Sequence, residues 1–135
     1  MPVVVLKDAF VSVGGQELSS RTNSVTLNYE IDSVEVTSFG DLGHKFIGGL
    51  QNVSCELSLQ QDYAATNVEV TLYPLVGTTT TVIVKPVNTT TSATNPAYTL
   101  TGTYLAAHTP VAGAVGELAM TSVTFTGGTI AKATS

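Results

Sequence analysis

Strict alternation of apolar and polar residues is the feature that most restricts this chain. Val53, Cys55, Leu57 and Leu59 fall on one parity, and Asn52, Ser54, Glu56 and Ser58 on the other. Val25, Leu27, Tyr29 and Ile31 alternate in the same way with Thr26, Asn28 and Glu30. A period of two gives a strand one dry and one wet face, which a helix of 3.6 residues per turn cannot do. The run Val34-Glu35-Val36-Thr37 resumes the alternation beyond Asp32 and Ser33, with the inward parity moved from odd to even. A bulge at Asp32-Ser33 within one continuous strand would produce that switch. Residues 38–49 then read as a long, glycine-punctuated loop before a strand over residues 50–59. The loop is too long for a tight hairpin turn, and it carries Phe39, Phe46 and Ile47 beside Asp41, His44 and Lys45. Its apolar side chains need cover, either from the protein's own sheet or from another copy of the chain, and both are open at this point.

The rest of the chain is punctuated in the same style. Residues 1–13 form an N-terminal arm with a short strand over 9–13, closed by Gly14-Gly15, and residues 16–24 are polar loop. Residues 63–76 are ambiguous. Ala64, Ala65, Val68, Leu72 and Leu75 recur at helical spacing, with Asp62 placed as N-cap and Gly77 as terminator. Val68, Val70 and Leu72 also alternate, and Pro74 would break a last helical turn. The balance predicts a short helix over 62–71. The β-branched run over 78–86 is a strand ended by Pro86, and the Thr/Asn/Ser-rich residues 87–96 are an exposed loop. Strands follow over 98–107 and 117–125, separated by the turn-rich TPVAGAVG, and Gly127-Gly128 lets a short C-terminal tail, 128–135, leave the last strand. Some seven short strands and at most one helix predict a mainly β fold, an antiparallel sandwich or barrel-like sheet with one short flanking helix.

Composition narrows the function. The 135 residues bury one core and need no second domain. With 43% hydrophobic and only 11% charged residues, the surface must be built largely from Thr, Ser, Asn and Gly. The formal charge is -5 and Arg21 is the sole arginine, which excludes a protein that grips phosphates through a basic patch. Cys55 is the single cysteine, so no intrachain disulfide forms, and its inward parity makes it a small core hydrophobe. The N-terminus does not read as a signal peptide, and no apolar run approaches the roughly 20 residues of a membrane helix. His44 and His108 lack metal-ligand spacing, and Asp41 with His44 has no nucleophile elbow to complete a triad. The expectation is therefore no catalytic, cofactor or metal site. Gly48-Gly49 and Gly127-Gly128 read as turns and not as phosphate cradles.

Several segments, in order, resemble one family. The sequence Val34-Glu35-Val36-Thr37-Ser38-Phe39-Gly40-Asp41, then a loop, then Phe46-Ile47-Gly48-Gly49-Leu50 and an alternating strand, is similar to the major tail tube proteins of long-tailed, siphovirus-like bacteriophages. Gln61-Asp62-Tyr63, Asn95-Pro96-Ala97-Tyr98-Thr99, Gly113-Ala114-Val115-Gly116-Glu117-Leu118 and the closing Gly-Gly strand extend the likeness from about Val11 onward. The resemblance implies a β-sandwich with a flanking helix whose copies form hexameric rings around a shared inner barrel. Stacked rings make the conduit through which double-stranded DNA passes without sequence-specific binding. It implies tape measure, tail terminator and distal tail or tip proteins as partners, and a place in the virion tail after assembly in the host cytoplasm. In that family the loop mapped here to 38–49 reaches a neighbouring ring, which would make Phe39, Asp41, His44, Lys45, Phe46 and Ile47 contacts between subunits.

A sheet closed between copies has no free edge, which suits Thr/Val-rich strands, and an acidic wall would release a polyanion instead of holding it. Glu35, Glu56, Glu69 and Glu117 are the candidate lumen acids, and any of them could instead face outward. A capsid-decorating or head-to-tail connecting β-domain is the first alternative. A carbohydrate- or receptor-binding β-sandwich is the second, and it would want more exposed aromatics than a chain with no Trp and five Tyr offers.

Overall fold

The structure, a computed structural model, describes residues 5, 7–61, 63 and 68–134. The alternating segments become strands: β1 Phe10–Val13, β2 Gln16–Glu17, β3 Thr22–Glu35, β4 Phe46–Gln60, β5 Thr78–Lys85, β6 Ala97–Leu105, β7 Met120–Thr126 and β8 Thr129–Ala133. One short helix, α1 Val68–Leu72, runs into a 3-10 turn, Tyr73–Leu75. All pairings are antiparallel, in the order β2-β1-β5-β6-β7-β4-β3, with β8 added on β6.

The corner of the fold lies on β6. Its last residues, Tyr104 and Leu105, pair with Thr126 and Phe125 of β7, while residues 97–101 pair with β8. The chain leaving β7 thus crosses Gly127-Gly128 and continues along the same edge of β6. Both glycines have φ near +80°, and a Cβ on Gly128 would stand 2.2 Å from the Thr101 carbonyl oxygen, so no other residue fits there. β7 belongs to β4 at its start and to β6 at its end. The sheet therefore folds over itself, and side chains far apart in strand order meet in one core: Val11 and Val13 of β1, Leu57 and Leu59 of β4, Leu100 and Leu105 of β6, and Phe125 of β7. Val68 and Leu72 of α1 complete the same core. Cys55 is fully buried within it, and burial pushes its thiol up to about 12, so it packs as an apolar group.

Several elements differ from their reading in the sequence. The predicted loop over 38–49 is shorter, because Ser33, Val34 and Glu35 pair with Gly48, Ile47 and Phe46, and the connection is only 36–45. Gly48 and Gly49 lie inside a strand. The register runs from Ile31 opposite Gln51 to Ser33 opposite Gly48, so Asp32 alone faces Gly49 and Leu50. The slip in register falls where a bulge was expected, but the extra residue is on β4 and not at Asp32-Ser33 of β3. A Cβ on Gly49 would come within 3.3 Å of Asp32 and Val34. The helix is described from Val68, and the Asp62 cap with its Ala64-Ala65 turn lies outside the described residues. Pro74 sits early in the 3-10 turn, where its missing N–H costs little. Residues 16–24 hold β2, a 3-10 turn, Ser19–Arg21, and the start of β3, and the final strand before the glycine pair begins at Met120 instead of residue 117. The residues after Gly128 do not leave the sheet, because β8 finds the open edge of β6.

Candidate assembly interface

Two features of β3 and β4 are unusual for a protein that ends at its own surface. The first is the arm. β4 pairs with β7 only from Ser54 to Gln60, so residues 46–51 are paired to β3 alone and the hairpin runs on past the sheet. Its turn is tied by its own polar groups. The Val36 N–H donates to the Lys45 carbonyl at 2.8 Å. The Thr37 hydroxyl donates to Glu35 Oε2 at 2.8 Å and accepts the Lys45 N–H at 2.9 Å. His44 Nδ1 lies 2.5 Å from the same Glu35 oxygen. The Ser38 N–H donates to Asp41 Oδ2 at 2.8 Å, and Lys45 Nζ lies 2.9 Å from Asp41 Oδ1. The His44 hydrogen bond, then that of Thr37, holds the Glu35 carboxyl below its ordinary range. The Ser38 N–H and then Lys45 do the same for Asp41.

The polar residues of the predicted contact loop therefore build the turn, and the apolar ones are left outside. Phe39 is 108% exposed and Leu42 106%, and Phe46, Ile47 and Leu50 are exposed beside them. Full burial of side chains like these stabilises by roughly 1.5–3 kcal/mol each, against the cost of association. Asp41 and His44 do not bond to each other, so no triad forms around them.

The second feature is a face and an edge. β3 ends the strand order, and along Thr22–Glu35 its outer edge has no strand partner among the described residues. Cross-strand partners share a face, and the outward face of β3, β4 and β7 is continuous: Thr26 pairs Glu56, which pairs Thr124; Asn28 pairs Ser54, which pairs Thr126; Ser24 pairs Ser58, which pairs Ser122. Glu30 opposite Asn52 extends it. No basic residue interrupts this set, and Met120, opposite Gln60, stands at its end. Of the four acids named from the sequence, Glu56 stands on this face, and Glu30, not named there, shares it by its parity with Thr26 and Asn28. Glu35 is engaged in the hairpin turn, Glu69 stands on α1, and Glu117 lies in the connection before β7.

His108 touches the buried Thr121 hydroxyl at 3.4 Å, and burial lowers its pKa against a smaller opposing effect of Glu69. No group of three or more potential metal ligands occurs among the described residues, and no helix there is long and apolar enough to cross a membrane.

No protein-family model matches the chain, and no curated protein matches it by sequence. Solved structures do match by shape. A chain of the virion of a native gene transfer agent particle superposes with a TM-score of 0.75 at 13% identity, covering 96% of this chain and 98% of that one. A chain of the sheath/tube terminator of the PVC extracellular contractile injection system, in its extended state, gives 0.72 at 13% identity, covering 96% of each. The tube terminating cap of the anti-feeding prophage gives 0.73 at 10% identity, covering 98% of this chain and 92% of that one. At these identities the likeness speaks for the fold: the chain is a mainly antiparallel β protein of the type found in tail tubes and their terminators.

Proposed function

We propose that this chain is a structural subunit of a tail tube, a non-enzymatic virion component that assembles into rings stacked as a conduit for DNA. The carrying observation is the 14-residue edge of β3, without a strand partner among the described residues, bordering a face of hydroxyl, amide and carboxylate groups. An edge that long invites pairing and is seldom left bare in a protein that works alone. Pairing it with the next copy makes the polar face the inside of a barrel, where Glu30 and Glu56 repel phosphate and the hydroxyls offer it no fixed charge. The exposed hairpin arm, with Phe39, Leu42, Phe46 and Ile47, then supplies the contact between successive rings. Six copies per ring, a tape measure, terminator and tip protein as partners, assembly in the host cytoplasm and a long-tailed phage as source are the details suggested by the segments around Val34, Gly48 and Gly113. The fold itself is shared with contractile systems and a gene transfer agent.

A second reading follows from the neighbours that belong to terminators and caps: a subunit that closes a tube with one ring. Electron microscopy of concentrated protein tests both. Stacked, open-channelled tubes are the expected result, single rings would favour the terminator, and a population of monomers or trimers would overturn the tube.

A further inference from the structure

An apolar groove of about 410 Å³ opens beside β3, lined by Val25, Leu27 and Tyr29 of that strand and by Val84, Tyr98 and Ile130 across from them. Lys85 is its one charged lining residue. The Lys85 ammonium donates to the Thr89 carbonyl at 3.0 Å and lies 4.7 Å from the centre of the Phe10 ring, so its neighbours among the described residues include no carboxylate.

The chain also carries an apolar projection that none of its own described residues covers. In the connection between β6 and β7, Val111, Val115 and Leu118 are exposed, Val115 as fully as in an extended chain. The connection is nonetheless held in shape. Gln61 Nε2 donates to the Pro110 carbonyl at 2.7 Å, as does the Tyr63 hydroxyl, the Gln61 N–H donates to the Ala119 carbonyl at 3.0 Å, and the Glu117 N–H closes a turn onto the Ala114 carbonyl at 3.0 Å. A projection ordered in advance loses less entropy when it docks. Glu117 stands at its end, with no side-chain hydrogen bond or ion pair among the described residues. The hairpin arm is the other apolar projection, but its carboxylates are already matched by Lys45 and His44, so it brings no spare anion to Lys85.

No residue of the β6–β7 connection lines the groove of its own chain. We infer that the groove receives residues 111–118 of a second copy, with Val115 and Leu118 against its apolar lining and Glu117 beside Lys85. The inference rests on the self-assembly reading and deepens it by naming the lateral contact within a ring. The groove borders the β3 edge, so one neighbour serves both. Donor and acceptor are different surfaces, so the contact is head-to-tail and closes when the rotation between copies returns on itself.

The test mixes two variants, Tyr29→Cys and Val115→Cys, at concentrations where the wild type assembles, and treats them with a short bismaleimide. Cys55 is buried and stays out of the reaction. Covalent dimers containing one of each variant, and none from either alone, are expected. Lys85→Glu and Glu117→Lys should each raise the protein concentration needed for assembly by about tenfold, the fold-change of a 1.4 kcal/mol loss, and the doubly swapped protein should recover most of it. If rings form without the mixed dimer, or if Phe39→Cys replaces Val115→Cys as the partner of Tyr29→Cys, the groove assignment is overturned and self-assembly stands. A wild type that stays monomeric, together with no mixed dimer from the two variants, removes both.

Discussion

Asn95 organises a loop that reads in the sequence as featureless. Its side chain is nearly buried, accepting the Val87 N–H at 3.0 Å and donating to the Val87 carbonyl at 2.9 Å and the Thr90 carbonyl at 3.2 Å. An amide supplies both functions at once, whereas a carboxylate of the same shape only accepts. Asn95→Ala and Asn95→Asp should both destabilise by about 1–3 kcal/mol in urea unfolding, the range for stranded buried partners. An equal stability for Asn95→Asp would show that the donor half is idle. Composition marked residues 87–96 as loop but could not show which asparagine turns inward, since that depends on where β5 and β6 place the ends. His108 is the residue where pH enters. Folding lowers its pKa through burial, so the unfolded chain binds the proton more readily and stability falls as pH drops through the ordinary histidine range. Between about pH 7.5 and 5.5 the melting temperature of the wild type should fall more than that of His108→Asn. Equal slopes would show that the burial has no energetic effect. Glu35 and Asp41 act in a separate window: their lowered carboxyls contribute above the ordinary carboxylate range and are lost only as pH falls through it.

At the level of elements, the hairpin of β3 and β4 shows what periodicity reveals and where it stops. The parity switch at Asp32 marked where the ladder slips, but alternation along one strand could not show that the extra residue belongs to its partner, β4. The extent of the arm was not legible. Gly48 and Gly49 look like loop punctuation, yet a Cβ on the first would stand 3.2 Å from Ile31 and one on the second 3.3 Å from Asp32, so they are glycines of close approach within a strand. Gly127 and Gly128 mislead in the same way, since a chain corner and a chain exit need the same backbone freedom. Gly49→Val should displace the bulge and misalign the arm while sparing the core, which is built on the other half of the hairpin. The melting transition should stay within a few degrees of wild type while tube formation fails. Phe46→Asp makes the narrower test. Phe46 is exposed, so the folded monomer should be unaffected, but a carboxylate at a buried contact costs several kcal/mol and should abolish stacking. Tubes of normal length from Phe46→Asp would remove the arm from the interface.

For the whole molecule, the order of strands decides what the polar face can do, and no strand carries that order in its own pattern. Each alternating run declares a wet side, but only the pairing of β3 with β4 and β4 with β7 gathers three wet sides into one surface containing Glu30 and Glu56 and no cation. If this surface is the wall of a conduit, its charge is part of its action. Transport of a polyanion needs a wall that neither binds nor traps, and affinity for duplex DNA grows with each phosphate a lysine neutralises. Replacing Glu30 and Glu56 together by lysine leaves the core residues of both strands untouched, so tubes should still assemble. Each subunit would then present two cations where it had two anions, and assembled tubes should retain double-stranded DNA at low salt, with a log affinity that falls steeply as log salt rises. Wild-type tubes should retain none under the same conditions, and in a particle the lysine variant should eject its genome more slowly. The same substitutions at Glu17 on β2 and Glu69 on α1, off the face, provide the control, because they change net charge equally. If the two pairs of variants bind DNA alike, the outward face of β3, β4 and β7 is not the surface that the polymer passes.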